Sequence, residues 1–284
     1  MTRLRIVGVP EHFNTPWYDA IKQNHFTQNG IDLQWSDVPE GTGRICQMLR
    51  DGSTDVAVLL TEGIVRDIAL GNPAKIVQVY VQSPLLWGIH VAAKSNYTQI
   101  DQIKNGRAAI SRFGSGSHLM TYVLAEQQGW PLDQLHFECV HTLEGAKQAL
   151  PFDEADYFLW EQFMTQPVVD EGIFRRLDIC PTPWPSFVIA VRNDVLQQNQ
   201  EAIDTMLRVI NEYTAGFKNQ LNALQLLKST FPKQHKVLAE WLTHTAWSQE
   251  KPTKEMISMV QDWLLKMALI PKKVDAQQLA IFAE

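Results

Sequence analysis

The strongest chemical signal in the chain is the stretch SRFGSGSH at residues 111–118. It lies between an apolar run, residues 108–110, and a helical pattern that begins near Leu119. When a glycine- and serine-rich turn opens a helix, the first backbone N–H groups lack intrahelical partners and favour an anion. Arg112 adds a fork of charged donors for a carboxylate, sulfonate or phosphate. The stretch predicts an anion-binding helix start, and an ordinary turn with a serine N-cap is the equal alternative.

Polar and aromatic side chains also follow three predicted strands near the N-terminus. The carboxyl ends of parallel strands meet at one edge of a sheet, where open α/β folds bind ligands. The residues concerned are Glu11, His12 and Phe13 after the first strand, Thr42 and Gly43 after the second, and Thr61 and Glu62 after the third. Glutamates there would bind an amine or ring N–H, while Arg112 takes an acid, which favours a zwitterion or an acid-bearing heterocycle. Pairing of these carboxylates with Arg112 or Arg66 is the alternative.

Five of the nine tryptophans fall into two groups by position. Trp87, Trp160 and Trp184 fall where strands end, outside helical stripes, and are expected to stack on a flat ring or cover an aliphatic chain of a ligand. Trp241 and Trp263 lie on helical stripes and are expected in the core.

Two histidines, His12 and His118, raise the question of catalysis or metal binding. No HxxxH or HxH spacing accompanies them, and the three cysteines are isolated, so neither a metal site nor a disulfide framework is predicted. No nucleophile elbow, Walker loop or dinucleotide-binding GxGxxG motif is present. We expect His118 to cap the helix or donate to a bound oxyanion, and we expect no cofactor.

The elements that position these residues alternate between strands and helices, which predicts α/β architecture with mostly parallel sheets. The extended segments at residues 85–96 and 186–194 resemble each other, and a separate α/β block lies between them. We therefore expect one lobe from residues 1–93 and 187–284, an inserted lobe from residues 94–186, and a two-strand hinge.

Composition narrows the class of partner. The net charge is −6 and the sequence pI about 5.8, without a lysine or arginine cluster, which argues against nucleic acid and an anionic membrane surface. No apolar run is long enough to span a bilayer, so no membrane insertion is expected. The N-terminus enters a strand pattern directly, which predicts a cytoplasmic protein as the sequence is written, or a periplasmic or extracellular one if a leader has been removed.

The order and spacing of several stretches resemble a known family along nearly the whole chain. The stretches are residues 114–118, residues 158–163, residues 188–194, and residues 269–271 with 274–275. They resemble the type II periplasmic-binding-protein fold, in the branch of sulfonate, nitrate and taurine binding proteins and thiamine-pyrimidine precursor binders and synthases. Residues 9–16 resemble a leaderless subgroup whose ligand is not established. The resemblance implies two α/β lobes that close by a hinge over a small molecule.

The same resemblance implies the ligand contacts. On the first lobe they are Glu11, His12, Phe13, Thr42, Gly43, Thr61, Glu62 and Trp87; facing them are Arg112, Ser115, Gly116, Ser117, His118, Trp160 and Glu161, with Trp184 near the hinge.

The implied function is solute binding without chemistry, for uptake with an ABC transporter permease or for intracellular sensing. An enzyme of pyrimidine or thiamine-precursor metabolism, with His12 or His118 as acid or base, is the alternative. The synthases carry a dense cysteine cluster that this chain lacks.

Overall fold

The structure is a computed structural model that describes residues 1–283 and divides into two compact units. Unit 1 consists of residues 1–83 together with the chain from Trp184 onward, and unit 2 consists of Pro84–Pro183. The strands are β1 (Thr2–Gly8), β2 (Ile31–Asp37), β3 (Val56–Leu60), β4 (Ala74–Val81), β5 (Leu86–Ala92), β6 (Arg107–Ile110), β7 (His136–Cys139), β8 (Tyr157–Glu161), β9 (Phe174–Pro181) and β10 (Phe187–Arg192).

Helices flank these strands, and those that start at Thr61, Gln162 and Asn193 each begin at the residue after a strand. The helices are α1 (Thr15–Lys22), α2 (His25–Gln28), α3 (Thr42–Asp51), α4 (Thr61–Ala69), α5 (Gly116–Gln127), α6 (Leu143–Ala149), α7 (Gln162–Asp170), α8 (Asn193–Gln198), α9 (Gln200–Phe217), α10 (Ala223–Thr230), α11 (Leu238–His244), α12 (Lys254–Lys266) and α13 (Ala276–Leu279). Short 3-10 helices occupy His12–Asn14, Ile100–Ile103, Leu132–Gln134 and Pro232–Gln234.

The sheet of unit 1 has the strand order β2-β1-β3-β10-β4. β1 is parallel to β2 and β3, whereas β10 runs antiparallel to its neighbours β3 and β4. The central strand β3, with the sequence VAVLL, is buried at four of its five positions because helices cover both faces. Burying each Val or Leu side chain contributes about 1.5–3 kcal/mol, so the centre of the sheet anchors the unit.

Aromatic side chains fill the interior of unit 1 beside β1. Trp17 of α1 is fully buried and stacks on Phe26 of α2, with ring centroids 5.7 Å apart. Tyr80 of β4 is also fully buried, and its hydroxyl donates to the carbonyl oxygen of Phe13 at 2.7 Å. These contacts attach the first helices to the sheet and set the path of the chain after β1.

The sheet of unit 2 repeats the topology of unit 1 with the strand order β7-β6-β8-β5-β9. β6 is parallel to β7 and β8, and β5 runs antiparallel to β8 and β9. In each unit, therefore, one antiparallel strand lies fourth in the order. Both sheets are mixed: four of the five strands in each run in the same direction, with two parallel and two antiparallel pairings. The predicted α/β architecture is confirmed.

The predicted lobe boundaries and the predicted hinge strands are placed differently by the structure. The expected boundary after residue 93 would assign β5 to unit 1, but β5 pairs with β8 and β9 in the sheet of unit 2. Backbone hydrogen bonds on both sides of β5 hold it there, so the chain leaves unit 1 after Ser83 and returns at Trp184. The two similar segments, β5 and β10, are integral strands of different sheets.

Candidate functional site

In unit 2, a network of serine hydroxyl groups holds the start of α5. Ser115 is the N-cap, and its Oγ accepts from the backbone N–H of His118 at 3.4 Å. The Oγ of Ser117 accepts from the backbone N–H of Ser111 at 3.0 Å and lies 3.1 Å from the Oγ of Ser115. Gly114 has a positive φ of 77°, which lets the loop turn into the helix. The predicted serine N-cap is thus present, and the hydroxyl groups are used to fix the loop.

Several donors at this helix start have no acceptor among residues 1–283. The backbone N–H groups of Gly116 and Ser117 form no hydrogen bond there, as expected for the first turn of a helix. The Arg112 guanidinium is exposed and has neither an ion pair nor a hydrogen bond within that part of the chain. The positive end of α5 and one uncommitted cation therefore lie within five residues of each other.

His118 is buried against the loop and serves as an acceptor. Its Nδ1 accepts from the backbone N–H of Gly114 at 3.1 Å, so the neutral ring carries its proton on Nε2. The ring packs edge-on against Phe113, Tyr122 and Phe137, with centroid distances of 5.2, 5.1 and 4.7 Å. His118 thus fixes the loop before the helix, whose N-cap is Ser115. That it donates to a bound oxyanion stays a prediction.

Trp87 and Glu161 are paired across β5 and β8 at the edge where β6 and β8 end. Trp87 is also opposite Cys180, whose thiol donates to Gln127 of α5 at 3.4 Å, so Trp87 points to the face of the sheet that α5 covers. The Trp87 indole Nε1 is buried and has no hydrogen-bond partner in the described chain. It is a second kind of uncommitted donor at this edge.

Glu161 and Trp160 have structural roles. Glu161 is the N-cap of α7, and its carboxylate accepts from the backbone N–H of Met164 at 2.6 Å. Trp160 is opposite Gly88 in the register, so its side chain points to the other face of the sheet, where it stacks on Phe158 at 5.2 Å. The Trp160 ring also packs edge-on against the Trp87 ring, with centroids 6.4 Å apart. That these two rings contact a ligand stays a prediction.

In unit 1, Glu62 and Trp184 form a buried pair. Glu62 lies in the first turn of α4 and is 3 % exposed, and its Oε2 accepts from the Trp184 indole Nε1 at 2.8 Å. Its Oε1 is buried without a partner in residues 1–283. Burial raises the pKa of the carboxyl group to about 7, against smaller opposite effects of its own backbone N–H and of Trp184. Trp184 itself packs edge-on against Trp263 at 6.2 Å.

The hydroxyl groups of two threonines near Glu62 form hydrogen bonds within unit 1. The Thr61 hydroxyl donates to the carbonyl oxygen of Pro185 at 2.6 Å, which links the end of β3 to the segment before β10. The Thr42 hydroxyl accepts from the backbone N–H of Leu60 at 3.3 Å. A Cβ at Gly63 would lie 2.3 Å from the Thr42 methyl, so α3 and α4 begin in close contact. Gly43 follows in the first turn of α3, whose N-cap is Gly41 with a φ of 80°.

Glu11 lies after β1, at the same edge of the unit 1 sheet. It is half-buried, its carboxylate has no hydrogen-bond partner in the described residues, and burial raises its pKa to about 7. Asp37 at the end of β2 accepts from the Tyr18 hydroxyl at 2.8 Å and from the Trp35 indole at 2.7 Å. The edge of unit 1 therefore carries several carboxylates.

Tyr18, Trp35 and Asp37 were not among the residues predicted for the site. Asp37 lies at the end of a strand pattern, just before Val38, so the criterion of polar residues at strand ends, which picked out Thr61, would also have included Asp37. Tyr18, which donates to Asp37, does not lie next to a strand end, so the same criterion would have missed it.

His12 and Phe13 belong to the aromatic interior of unit 1. The His12 ring is 1 % exposed and packs edge-on against Phe231 at 4.5 Å and Trp241 at 5.2 Å. Burial lowers its pKa to about 3, so the ring stays neutral near pH 7. Phe13 is 5 % exposed and packs against Phe187 and Trp241. Phe231, which directly follows α10, packs against His12, and Trp241 of α11 packs against both side chains. That these two side chains meet a ligand, and that His12 acts as an acid or base, stays a prediction.

Within residues 1–283, no group of three or more His, Cys, Asp or Glu side chains is placed to hold a metal ion. None of the helices in this part of the chain is long and apolar enough to cross a membrane.

Comparison with known proteins connects this geometry to a fold. The sequence model of a family described as Ca3427-like PBP, a periplasmic binding protein group, matches residues 87–179. The CA3427 gene product of Candida albicans, which defines a family with the generic periplasmic-binding-protein fold, is 25% identical with a TM-score of 0.90. That match covers 99% of this chain and 96% of the fungal one. A search of the curated proteins found no significant match.

Two transport-related structures are similar at lower identity. The alkanesulfonate-binding protein SsuA from Xanthomonas axonopodis pv. citri, bound to MOPS, is 16% identical with a TM-score of 0.83, over 100% of this chain and 99% of SsuA. The periplasmic nitrate-binding protein NrtA from Synechocystis PCC 6803 is 14% identical with a TM-score of 0.72, over 99% of this chain and 86% of NrtA. The matches extend along the whole chain, and both sheets agree with them. The chain has the type II periplasmic-binding-protein fold, the fold of these sulfonate- and nitrate-binding proteins.

Proposed function

We propose that the chain is a solute-binding protein that binds the acidic group of a small organic acid or acid-bearing heterocycle at the start of α5. The observation that carries this proposal is the set of uncommitted donors in unit 2. The backbone N–H groups of Gly116 and Ser117, the indole N–H of Trp87 and the Arg112 guanidinium have no acceptor among the described residues.

Hydrogen-bond donors that are buried or lie at a helix start cost free energy when they lack an acceptor, so they favour binding of an anion from solution. The first N–H groups of a helix carry a partial positive charge that a carboxylate or sulfonate neutralises. The serine hydroxyl groups bond to one another and to the loop, so they hold the backbone in place. The ligand therefore meets preformed backbone donors, which lowers the cost of ordering them on binding.

The relatives support an anionic ligand. One SsuA structure is bound to MOPS, a sulfonate, and NrtA is a nitrate-binding protein. Delivery to an ABC-type permease and intracellular sensing both begin with this binding step, and we propose solute capture as the function common to both. The enzyme alternative gains no support from His12, which is enclosed by aromatic rings and neutral.

Isothermal titration with ethanesulfonate, propionate and orotate tests the proposal. Replacement Arg112→Ala removes a charged hydrogen-bond donor and should weaken an acid that binds the wild-type chain by about 1.5–3 kcal/mol. The free energy of unfolding should stay unchanged, because Arg112 is exposed and makes no intramolecular bond in the described residues. Mass spectrometry of small molecules that copurify with the protein would identify the natural acid.

Lys104→Ala is the matched control. Lys104 is an exposed cation of the same unit, but it precedes β6 and so lies at the opposite edge of the sheet from Arg112. Equal affinities of wild type and Arg112→Ala would remove Arg112 from the site. Loss of affinity in both variants would indicate long-range electrostatic attraction instead of a contact. Conversion of a bound acid to a product would contradict binding without chemistry.

A further inference from the structure

Phe113 is an exposed aromatic side chain beside the donors that are proposed to bind the acid. It lies in the loop between β6 and α5, directly after Arg112, and it is 67 % exposed. Apolar surface in contact with water is unfavourable, although single exposed apolar side chains are common on proteins. What distinguishes Phe113 is its place in the chain next to the uncommitted donors of Arg112, Gly116 and Ser117.

The Phe113 ring is held against the first turn of α5. It packs edge-on against the His118 ring, with centroids 5.2 Å apart, and against the Phe137 ring of β7, with centroids 6.0 Å apart. The loop itself is fixed as well, because the backbone N–H of Gly114 donates to Nδ1 of His118 at 3.1 Å. The ring is therefore an ordered apolar surface, and a ligand that contacts it pays little for ordering it.

A second phenylalanine of unit 2 shows what the position of Phe113 adds. Phe152 is 79 % exposed, but it lies between α6 and β8, before a strand that runs parallel to β6. Phe152 therefore lies at the opposite edge of the unit 2 sheet from the start of α5. Both side chains are exposed, but only Phe113 lies beside the donors for the acid.

We propose that Phe113 is a specificity-determining residue, whose ring packs on an apolar group next to the acid of the ligand. This inference rests on the proposed function, concerns unit 2 alone, and adds a residue that was not predicted for the site. Because the ring is held against the first turn of α5, it contacts the part of the ligand nearest the acid. The size of the apolar group attached to the acid therefore sets the affinity through this ring.

Acids with apolar groups of different size provide the test. Methanesulfonate, propane-1-sulfonate and benzenesulfonate form one series, and acetate, butyrate and benzoate form the other. Titration calorimetry of the wild-type chain should show that the propyl or phenyl member of at least one series binds about tenfold or more tighter than the methyl member. The reason is that a larger group buries more apolar surface.

Phe113→Ala should reduce this gain by about threefold or more, because the ring that covers the larger group is removed. Phe113→Leu keeps a large apolar side chain and should retain more of the gain than Phe113→Ala. Phe152→Ala is the matched control, because it removes an equally exposed ring from the opposite edge of the same sheet, and it should keep the full gain. Circular dichroism should show that each variant folds.

The outcomes separate this inference from the proposed function. If the acids bind but affinity does not rise with the size of the apolar group, or if Phe113→Ala keeps the full gain, the inference is overturned and the proposed function stands. The same holds if Phe113→Ala weakens the methyl and phenyl members by one factor, or if Phe152→Ala loses as much of the gain. If no acid of either series binds to the wild-type chain, the proposed function fails and the inference fails with it.

Discussion

Glu62 and Glu161 occupy corresponding places in the two units but are used differently. Each lies at the carboxyl end of the strand that is third in the order of its sheet, at the point where a helix begins. Glu161 is the N-cap of α7, and its carboxylate binds the Met164 N–H at 2.6 Å. Glu62 lies beyond the cap, inside the first turn of α4, and keeps one oxygen without a partner in the described chain. A different position relative to the helix start thus separates a capping carboxylate from one that keeps an oxygen without a partner among residues 1–283.

Trp184 and Trp87, at the same two sheet edges, differ in whether the indole N–H has a hydrogen-bond acceptor. Trp184 of unit 1 donates its indole N–H to Glu62, whereas the indole N–H of Trp87 in unit 2 has no acceptor in residues 1–283. The edge of unit 1 thus keeps an uncommitted acceptor, and the edge of unit 2 keeps uncommitted donors. The two sheet edges therefore differ in the kind of hydrogen-bonding group that lacks a partner among residues 1–283.

The largest expected effect concerns Glu62 and pH. Its pKa is about 7 in the folded chain, above the ordinary value of 4.5, so the folded state binds the proton more tightly than the unfolded state. Its contribution to stability is therefore lost as the pH rises from about 4.5 to 7, by on the order of 3 kcal/mol. Urea unfolding of Glu62→Gln between these pH values should show a correspondingly smaller loss than wild type. An identical pH dependence in both would contradict the burial of an uncompensated carboxylate.

The paired replacements Trp184→Phe and Trp87→Phe should differ by about 1.5–3 kcal/mol in free energy of unfolding. Both lose the same ring volume, but only Trp184→Phe loses a hydrogen bond to a carboxylate. Denaturant unfolding at pH 8, where the Glu62 carboxylate is mostly ionised, measures the difference. Equal costs would show that the Trp184 indole contributes packing alone.

Glu161→Ala should destabilise the chain by about 1–2 kcal/mol, because the Met164 N–H loses its acceptor at the start of α7. Glu161→Gln keeps a carbonyl oxygen at the same place and should retain most of the stability. Thermal unfolding of the two variants measures the contrast. If Glu161→Gln were as costly as Glu161→Ala, charge and not capping would be the function of Glu161.

The smallest expected effect is at the start of α5. Ser115→Ala removes the N-cap oxygen and should cost about 1 kcal/mol of stability, while Ser115→Asn should cost less because asparagine also caps helices. Hydrogen exchange of the His118 amide should be faster in Ser115→Ala than in Ser115→Asn. Equal protection in both would mean that the other serines suffice to hold the loop.

Much of the fold follows from local pattern. The alternating residues of β1 and β10 predict strands, and the glycine- and serine-rich turn before α5 predicts a capped helix start, because these signals depend on neighbours in the chain. The extent of unit 2 did not follow, since β5 reads as a strand whichever sheet it joins. Only its pairing with β8 and β9 assigns it.

For the candidate site, too, some features follow from local sequence and others only from the tertiary structure. The sequence by itself determined the helix start with Arg112 and the positions of Glu62 and Trp184 at strand ends, because turn chemistry and strand periodicity are local. Tertiary structure alone decided that Phe231 and Trp241 pack against His12, that the Trp160 and Trp87 rings meet edge-on, and that one oxygen of Glu62 has no partner among residues 1–283. The reason is that the partners come from far along the chain: the indole that holds Glu62 lies 122 residues away in sequence.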